Sequence, residues 1–263
     1  MYAFQYQRPT QLSDAQKAAQ AGGQLLAGGQ TMIAAMKQRL QQPETVVDLA
    51  AISGLSGIQK SGQHIVIGAM TRHQDVANNA EVQKSIPGLA ALANGIGDKQ
   101  VRAMGTIGGS VANNDPAACY PSALLALGAT IHTDRRTIAA DDFFLGMYAT
   151  ALEAGEIITA VHFPIPSKSA YAKFKQPASR YSLVGVFVAQ TAAGARVAIT
   201  GASSGVFRHA GLEAALSKQF TPEAVANVTI DAQDLNADLH ASKAYRAQLI
   251  TVQTQRAVKQ ANG

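Results

Sequence analysis

Two short glycine segments carry the residue types best suited to holding a ligand. In Leu25-Leu26-Ala27-Gly28-Gly29-Gln30-Thr31, an apolar strand runs into a double glycine and then a helical stretch from Met32 to Leu40. Without Cβ atoms, Gly28 and Gly29 let the backbone turn sharply and bring N–H groups against a bulky anion. The following helix start adds unsatisfied donors and a positive dipole end, which suits pyrophosphate. Thr31 is placed to cap that helix or to bond a phosphate oxygen. An ordinary strand-to-helix turn has the same pattern, so this segment alone leaves both readings open. The second segment, Gly105-Thr106-Ile107-Gly108-Gly109-Ser110-Val111-Ala112-Asn113-Asn114-Asp115-Pro116, packs small, hydroxyl and amide side chains together. It reads as a flat chain lying along a ligand and offering several backbone donors, with a tight loop between lobes as the alternative. Neither segment is a Rossmann fingerprint or a Walker loop, which disfavours conventional dinucleotide and NTP sites.

The other reactive side chains have plainer readings. Cys119 lies near a helix start, where a thiolate is favoured, but a small buried residue is the simpler assignment. As the single cysteine it excludes a disulfide framework and any multi-cysteine metal site. The six histidines, at 64, 73, 132, 162, 209 and 240, lack metal-ligand spacing and read as surface or strand residues. Asp141-Asp142 before Phe143-Phe144 reads as a helix cap above a buried aromatic anchor. No Ser-His-Asp set or glycosidase pair can be argued from spacing.

The chain has 263 residues, 47% of them hydrophobic and only 15% charged. That composition excludes a disordered protein or a charged coiled coil, and the length supports a substantial core without staples. The apolar runs Ser85 to Leu92 and Ala123 to Ala129 are too short for a membrane span. Met1 to Thr10 is not a signal peptide, so a soluble, cytoplasmic protein is expected. Lys and Arg number 22 against 17 Asp and Glu, a net charge of +5. The basic residues are dispersed, with only Arg135-Arg136 adjacent, which argues against nucleic acid and fits an anionic cofactor.

Turn-rich passages at Ile52 to Gly62 and Pro164 to Ser169 divide the chain. They predict a small α/β lobe over 1–53, a larger β-rich lobe over 54–165 and a separate α/β unit over 168–263. Helix starts are read at capping boxes Ser13/Gln16 and Thr71/Gln74, and at Asp115-Pro116 and Thr221-Pro222. Strands are expected at 25–27, 45–49, 64–69, 129–133, 157–163, 182–191 and 195–201. Leu239 to Lys259 carries Leu239, Tyr245, Leu249, Val252 and Ala257 at helical spacing, predicting a terminal helix docked by one face.

The first glycine segment, Ile96-Gly97-Asp98-Lys99-Gln100-Val101-Arg102, and the Gly105 to Pro121 stretch together resemble the FAD-binding medium subunit of molybdenum hydroxylases, the carbon monoxide dehydrogenase and xanthine dehydrogenase family. The similarity runs nearly end to end. It takes in Phe4 to Thr10, Val46 to Leu49, Gly155 to Ile158, Lys173 to Gln176 and Tyr181. The resemblance implies an α+β fold: the two-lobed FAD-binding arrangement of vanillyl-alcohol oxidase and p-cresol methylhydroxylase, with a C-terminal α/β domain. It implies that Leu26, Ala27, Gly28, Gly29, Gln30 and Thr31 hold the pyrophosphate. Thr106, Gly108, Gly109 and Ser110 then run beside the ribityl chain and adenosine half, and Ile96 and Val101 pack near the adenine. Ile158 and Lys175 touch the flavin region, and Tyr181 shields one face of the isoalloxazine ring. Without the resemblance, Tyr181 reads as simple core. Two positions depart from the family. Cys119 stands where many relatives have a cofactor-bonding aspartate, a contact Asp115 is placed to replace, and Gln30 stands where some have histidine.

The function implied is that of an FAD-dependent electron-transfer subunit, with no catalytic acid or base on this chain. Its implied partners are a large molybdenum-cofactor subunit, where substrate is oxidised, and a small iron–sulfur subunit that delivers electrons. The acceptor is quinone, oxygen or NAD. One cysteine cannot ligate an iron–sulfur cluster, which fits that division of labour. A self-contained flavin oxidoreductase and a flavin-free module that keeps the fold are the alternatives.

Overall fold

The computed structural model describes residues 1–263. Three sheets organise it. The first is parallel, in the order β1 (Gln5–Gln7), β3 (Thr45–Asp48), β2 (Gln24–Leu26). Parallel neighbours need crossovers, and here α1 (Leu12–Gln20) and α2 (Met32–Lys37) supply them. A small core of Ala15, Val47, Leu49, Ile52, Leu55, Met70 and Ile157 packs beneath.

The second sheet has the order β4 (Ile58–Ser61), β5 (His64–Gly68), β10 (Ile158–Pro164), β6 (Thr130–Thr133), β7 (Thr137–Ala139), all antiparallel. The register sets Ile65 opposite Phe163 and Ile67 opposite Val161, all four fully buried. Between β5 and β6 the chain makes six helices: α3 (His73–Asn78), α4 (Ala80–Ser85), α5 (Pro87–Asn94), α6 (Lys99–Met104), α7 (Ile107–Asn113) and α8 (Tyr120–Leu127). Every residue of α8 is buried, as expected of a helix apolar on all sides. Gly128, at φ 64°, ends it in a left-handed cap. Helix α9 (Ala140–Phe143) and the hairpin β8 (Phe144–Gly146)–β9 (Ala149–Thr150) precede β10.

The third sheet is antiparallel: β11 (Lys168–Lys175), β12 (Ser182–Thr191), β13 (Gly194–Thr200), β14 (Phe207–Arg208). Helices α10 (Ala210–Lys218) and α11 (Lys243–Asn262) pack with it through Leu212, Leu249, Ile250, Ala257 and Val258. Because α8 lies against β12 and β13 as well as α11, Ser182 to Ala189 is buried without alternation. Arg246 of α11 is buried too, donating to the Leu183 and Gly201 carbonyls (2.7 and 2.8 Å) and pairing with Asp238.

The predicted strands all form, but several helix starts differ. Ser13 lies inside α1, whose N-cap Gln11 makes no side-chain bond, and Gln16 instead reaches Asp134 at 2.7 Å. Thr71 exchanges bonds with the Gly57 backbone, leaving α3 to begin after Arg72. Asp115 accepts from the Ala117 N–H at 2.8 Å, closing a turn, so the helix starts at Tyr120 rather than Pro116. Thr221-Pro222 opens only a single 3-10 turn over Pro222–Val225. Leu239 precedes α11 and is 90% exposed. Besides its strands, the stretch read as β-rich holds these six short helices, and three of them (α3, α5 and α8) begin without a side-chain cap. No helix is long and apolar enough to cross a membrane.

Candidate functional site

Strand β2 ends at Leu26, and Ala27 to Thr31 turn across its end before α2 begins. Gly28 passes so close to the Met104–Gly105 backbone that a Cβ would fall 2.7 Å from the Gly105 Cα. Gly29 has φ +69°, a conformation other residues adopt at a cost. The N–H groups of Gly28, Gly29, Gln30, Thr31 and Met32 find no acceptor in the protein. The next, Ile33, bonds the Gly29 carbonyl at 3.1 Å. Gln30 folds back so that its Nε2 donates to the Gly28 carbonyl at 2.8 Å. Thr31 is the N-cap of α2, but its side chain caps nothing.

The second glycine segment is not a flat chain. From Ile107 it is helix α7, with Thr106 as N-cap, and its first amides are already paired. Ile107 donates to the Thr71 carbonyl (3.1 Å), Gly108 to that of Ala69 (2.8 Å) and Ser110 to that of Thr106 (3.1 Å). The Gly109 N–H takes the Thr106 hydroxyl at 3.2 Å. Gly108 is required because a Cβ there would fall 2.6 Å from the Ala69 Cβ, and one on Gly109 would fall 3.2 Å from the Ala27 Cβ. The two segments therefore touch, and of their backbone N–H groups at the turn only those of the first are left unpaired.

Above them opens a cavity of about 550 Å³, within the range of roughly 300–1,000 Å³ typical of small-molecule sites. Its lining includes Leu26, Ala27, Gly28, Gly29, Gln30 and Thr31 from the first turn, and Thr106, Gly108, Gly109 and Ser110 from the second. Ile96, Val101, Asp115, Cys119, Ile158 and Tyr181 line it as well. Tyr181 is 47% exposed, so it is not core. Burial and the nearby Asp115 carboxylate push its hydroxyl above the usual tyrosine range.

Lys175 is the exception among the expected residues. The ladder between β11 and β12 slips between Phe174 and Lys175, and Lys175 ends exposed, away from the cavity. Lys173 lines it instead. Its Nζ donates to the Gly95 and Arg180 carbonyls (2.8 and 2.9 Å) and lies 3.4 Å from the Cys119 Sγ. Cys119 is buried at the N-cap of α8, with its Sγ 3.6 Å from the Ser182 hydroxyl. Asp115 is engaged by the Ala117 N–H and by the Tyr148 hydroxyl at 3.4 Å.

Sequence reasoning missed several lining residues. Glu156, buried at the rim, accepts from Arg136 and Thr133, and the Arg136 guanidinium holds its carboxyl down to about 2. Arg180 sits in the β11–β12 turn at φ +62°. His73, read as a surface or strand residue, is 5% exposed at the start of α3 and lines the cavity. Polar residues beside already recognised ones, such as Arg180 next to Tyr181, were the available signal.

A cavity lined by a glycine turn with five unpaired amides has the form of a ligand-binding protein's site, with donors suited to an anion. Residues 2–166 match the family described as the FAD binding domain in molybdopterin dehydrogenase. The medium subunit of nicotine 6-hydroxylase from Paenarthrobacter nicotinovorans is 34% identical, over 98% of this chain and 97% of its own length. The medium chain of carbon monoxide dehydrogenase from Hydrogenophaga pseudoflava is 35% identical over 94% of each. A solved structure of carbon monoxide dehydrogenase from that organism, lacking the Mo-pyranopterin moiety of its cofactor, superposes with a TM-score of 0.92 at 33% identity, covering 99% of this chain and 97% of the other. This chain belongs to that family: it is an FAD-binding medium subunit of the molybdenum hydroxylases, an oxidoreductase subunit.

Proposed function

We propose that this chain is the electron-transfer subunit of a cytoplasmic molybdenum hydroxylase, receiving electrons from a small iron–sulfur subunit while substrate is oxidised on a large molybdenum-cofactor subunit. Bound FAD supplies the redox chemistry, with quinone, oxygen or NAD as the outlet. The chain's own residues bind and orient. The observation that carries this reading is the row of unpaired amides from Gly28 to Met32 opening on the cavity. Such a row at a helix start is an anion site for a diphosphate, and the chain's net charge of +5 favours the same ligand.

In this reading Leu26 to Thr31 hold the pyrophosphate. Ile96 and Val101 pack against the adenine side. Thr106, Gly108, Gly109 and Ser110 form a wall by shape rather than by donating amides. Ile158 and Tyr181 border the flavin, with Lys173 in the place expected of Lys175. Asp115 and Cys119 lie beside them.

The test is co-expression with a molybdenum-type and an iron–sulfur-type partner, followed by stopped-flow measurement of flavin bleaching. Flavin reduced by the complex on adding substrate, but not in the isolated flavin-loaded chain, is the expected result. Reduction of the isolated chain by a small organic substrate would overturn the reading in favour of a self-contained oxidoreductase.

A further inference from the structure

His73 is the one histidine turned inward at the cavity. Its backbone N–H bonds the Gly105 carbonyl at 2.9 Å, and its ring fits only because Gly105 lacks a side chain: a Cβ there would lie 2.6 Å from the Nε2. The sequence thus makes room for this imidazole, yet neither ring nitrogen has a partner within the protein. The Nδ1 is sealed from solvent and unpaired. A second sealed and unpaired group, the Tyr120 hydroxyl, sits on the neighbouring ring, whose centroid is 5.4 Å away.

A buried polar group without a partner is costly and rare. Burial and the positive charge of Arg102 lower the His73 pKa to about 4, so the ring is neutral near pH 7 with one N–H to give. The tautomer that leaves no donor sealed carries its hydrogen on Nε2.

We propose that His73 is a cofactor-contacting residue whose Nε2–H donates to an oxygen of the FAD in this cavity. This rests on the FAD reading above. It explains why a 5% exposed imidazole stands against the cavity with its Nε2 unused: that nitrogen's partner belongs to the ligand, and the sealed Nδ1 is left as an unpaired acceptor.

The experiment uses the full chain stripped of flavin, titrated with FAD by fluorescence and followed by thermal unfolding. His73→Phe keeps the ring and its burial but removes both nitrogens. It is expected to weaken FAD binding about tenfold, the equivalent of one lost hydrogen bond. His73→Gln, which keeps an N–H donor, should weaken it less. The apo form of His73→Phe should melt no lower than wild type, since the variant removes orphaned polar atoms, whereas a purely structural histidine would lower both. In the wild-type chain the imidazole ¹⁵N resonances of His73 should shift on FAD saturation, a reading that does not depend on the variants folding. Equal FAD affinity in wild type and His73→Phe, or ¹⁵N resonances unmoved by FAD, would overturn the His73 assignment alone. Failure of the wild-type chain to bind FAD would overturn the cofactor reading and this proposal with it.

Discussion

The first N–H groups of a helix have no intrahelical partner and must find an acceptor elsewhere, in a side chain, water or a ligand. Gly28 to Met32 keep theirs free because Gly29, at φ +69°, turns the chain before α2 can pair them. Gly29→Ala forces a side chain into a left-handed conformation, at about 1–2 kcal/mol, and sets a Cβ 2.5 Å from the Ile33 Cδ1. Calorimetry should show that loss in the apo protein, with FAD retention falling further because the amides move. Normal flavin content would count against the diphosphate role. Glu156 makes a separate prediction at this scale. Its pKa falls from 4.5 to about 2, so its contribution is complete above pH 4.5 and is lost as pH falls toward 2. That shift corresponds to roughly 2–3 kcal/mol, taken at the lower end because Arg136 is 42% exposed. Glu156→Gln should show that deficit in urea unfolding at pH 7 and little difference from wild type near pH 2.

Among elements, the β11–β12 turn is tied beside the cavity chiefly by the Lys173 ammonium, with a longer bond from Arg180 to the Gly97 carbonyl at 3.4 Å. Lys173 ties it to the Gly95 carbonyl at the end of α5 and to its own Arg180 carbonyl. Lys173→Met should free residues 176–181, seen as faster amide exchange there, with a stability loss of about 1–2 kcal/mol. Unchanged exchange would mean the turn is fixed by other bonds. The limits of sequence reading also show at this scale. Strands β5, β10, β12 and β13 are legible because β-branched and aromatic residues are concentrated in them. Helices α4 to α6 are not, because each is only six to eight residues long and is set by packing more than by propensity. The first glycine segment is legible as a strand-to-helix turn. The pairing of the α7 amides is not, since Ala69 and Thr71, whose carbonyls they take, lie over thirty residues away in sequence. His73 escapes for the same reason: only the return of the chain at Gly105 covers it.

For the whole molecule, acid should be destabilising well before the carboxylates protonate. Burial lowers the pKa of His132 and of His162, whose rings stack at 3.6 Å, and His73 is lowered furthest, to about 4. The unfolded chain therefore binds protons first, and stability declines as pH drops below about 6.5. Thermal midpoints that do not fall between pH 7 and 5 would contradict this. FAD should act oppositely, adding about 2.7 kcal/mol at a free concentration one hundred times its Kd.

The central claim is that the cofactor's diphosphate is held by the first glycine turn and not by the second. Amide ¹H–¹⁵N spectra of the full chain with and without FAD test it most directly. The resonances of Gly28 to Met32 should move strongly downfield in the proton dimension on saturation, while the already paired amides of Ile107 to Ser110 move far less. Large downfield shifts at Ile107 to Ser110, with Gly28 to Met32 unmoved, would contradict the account.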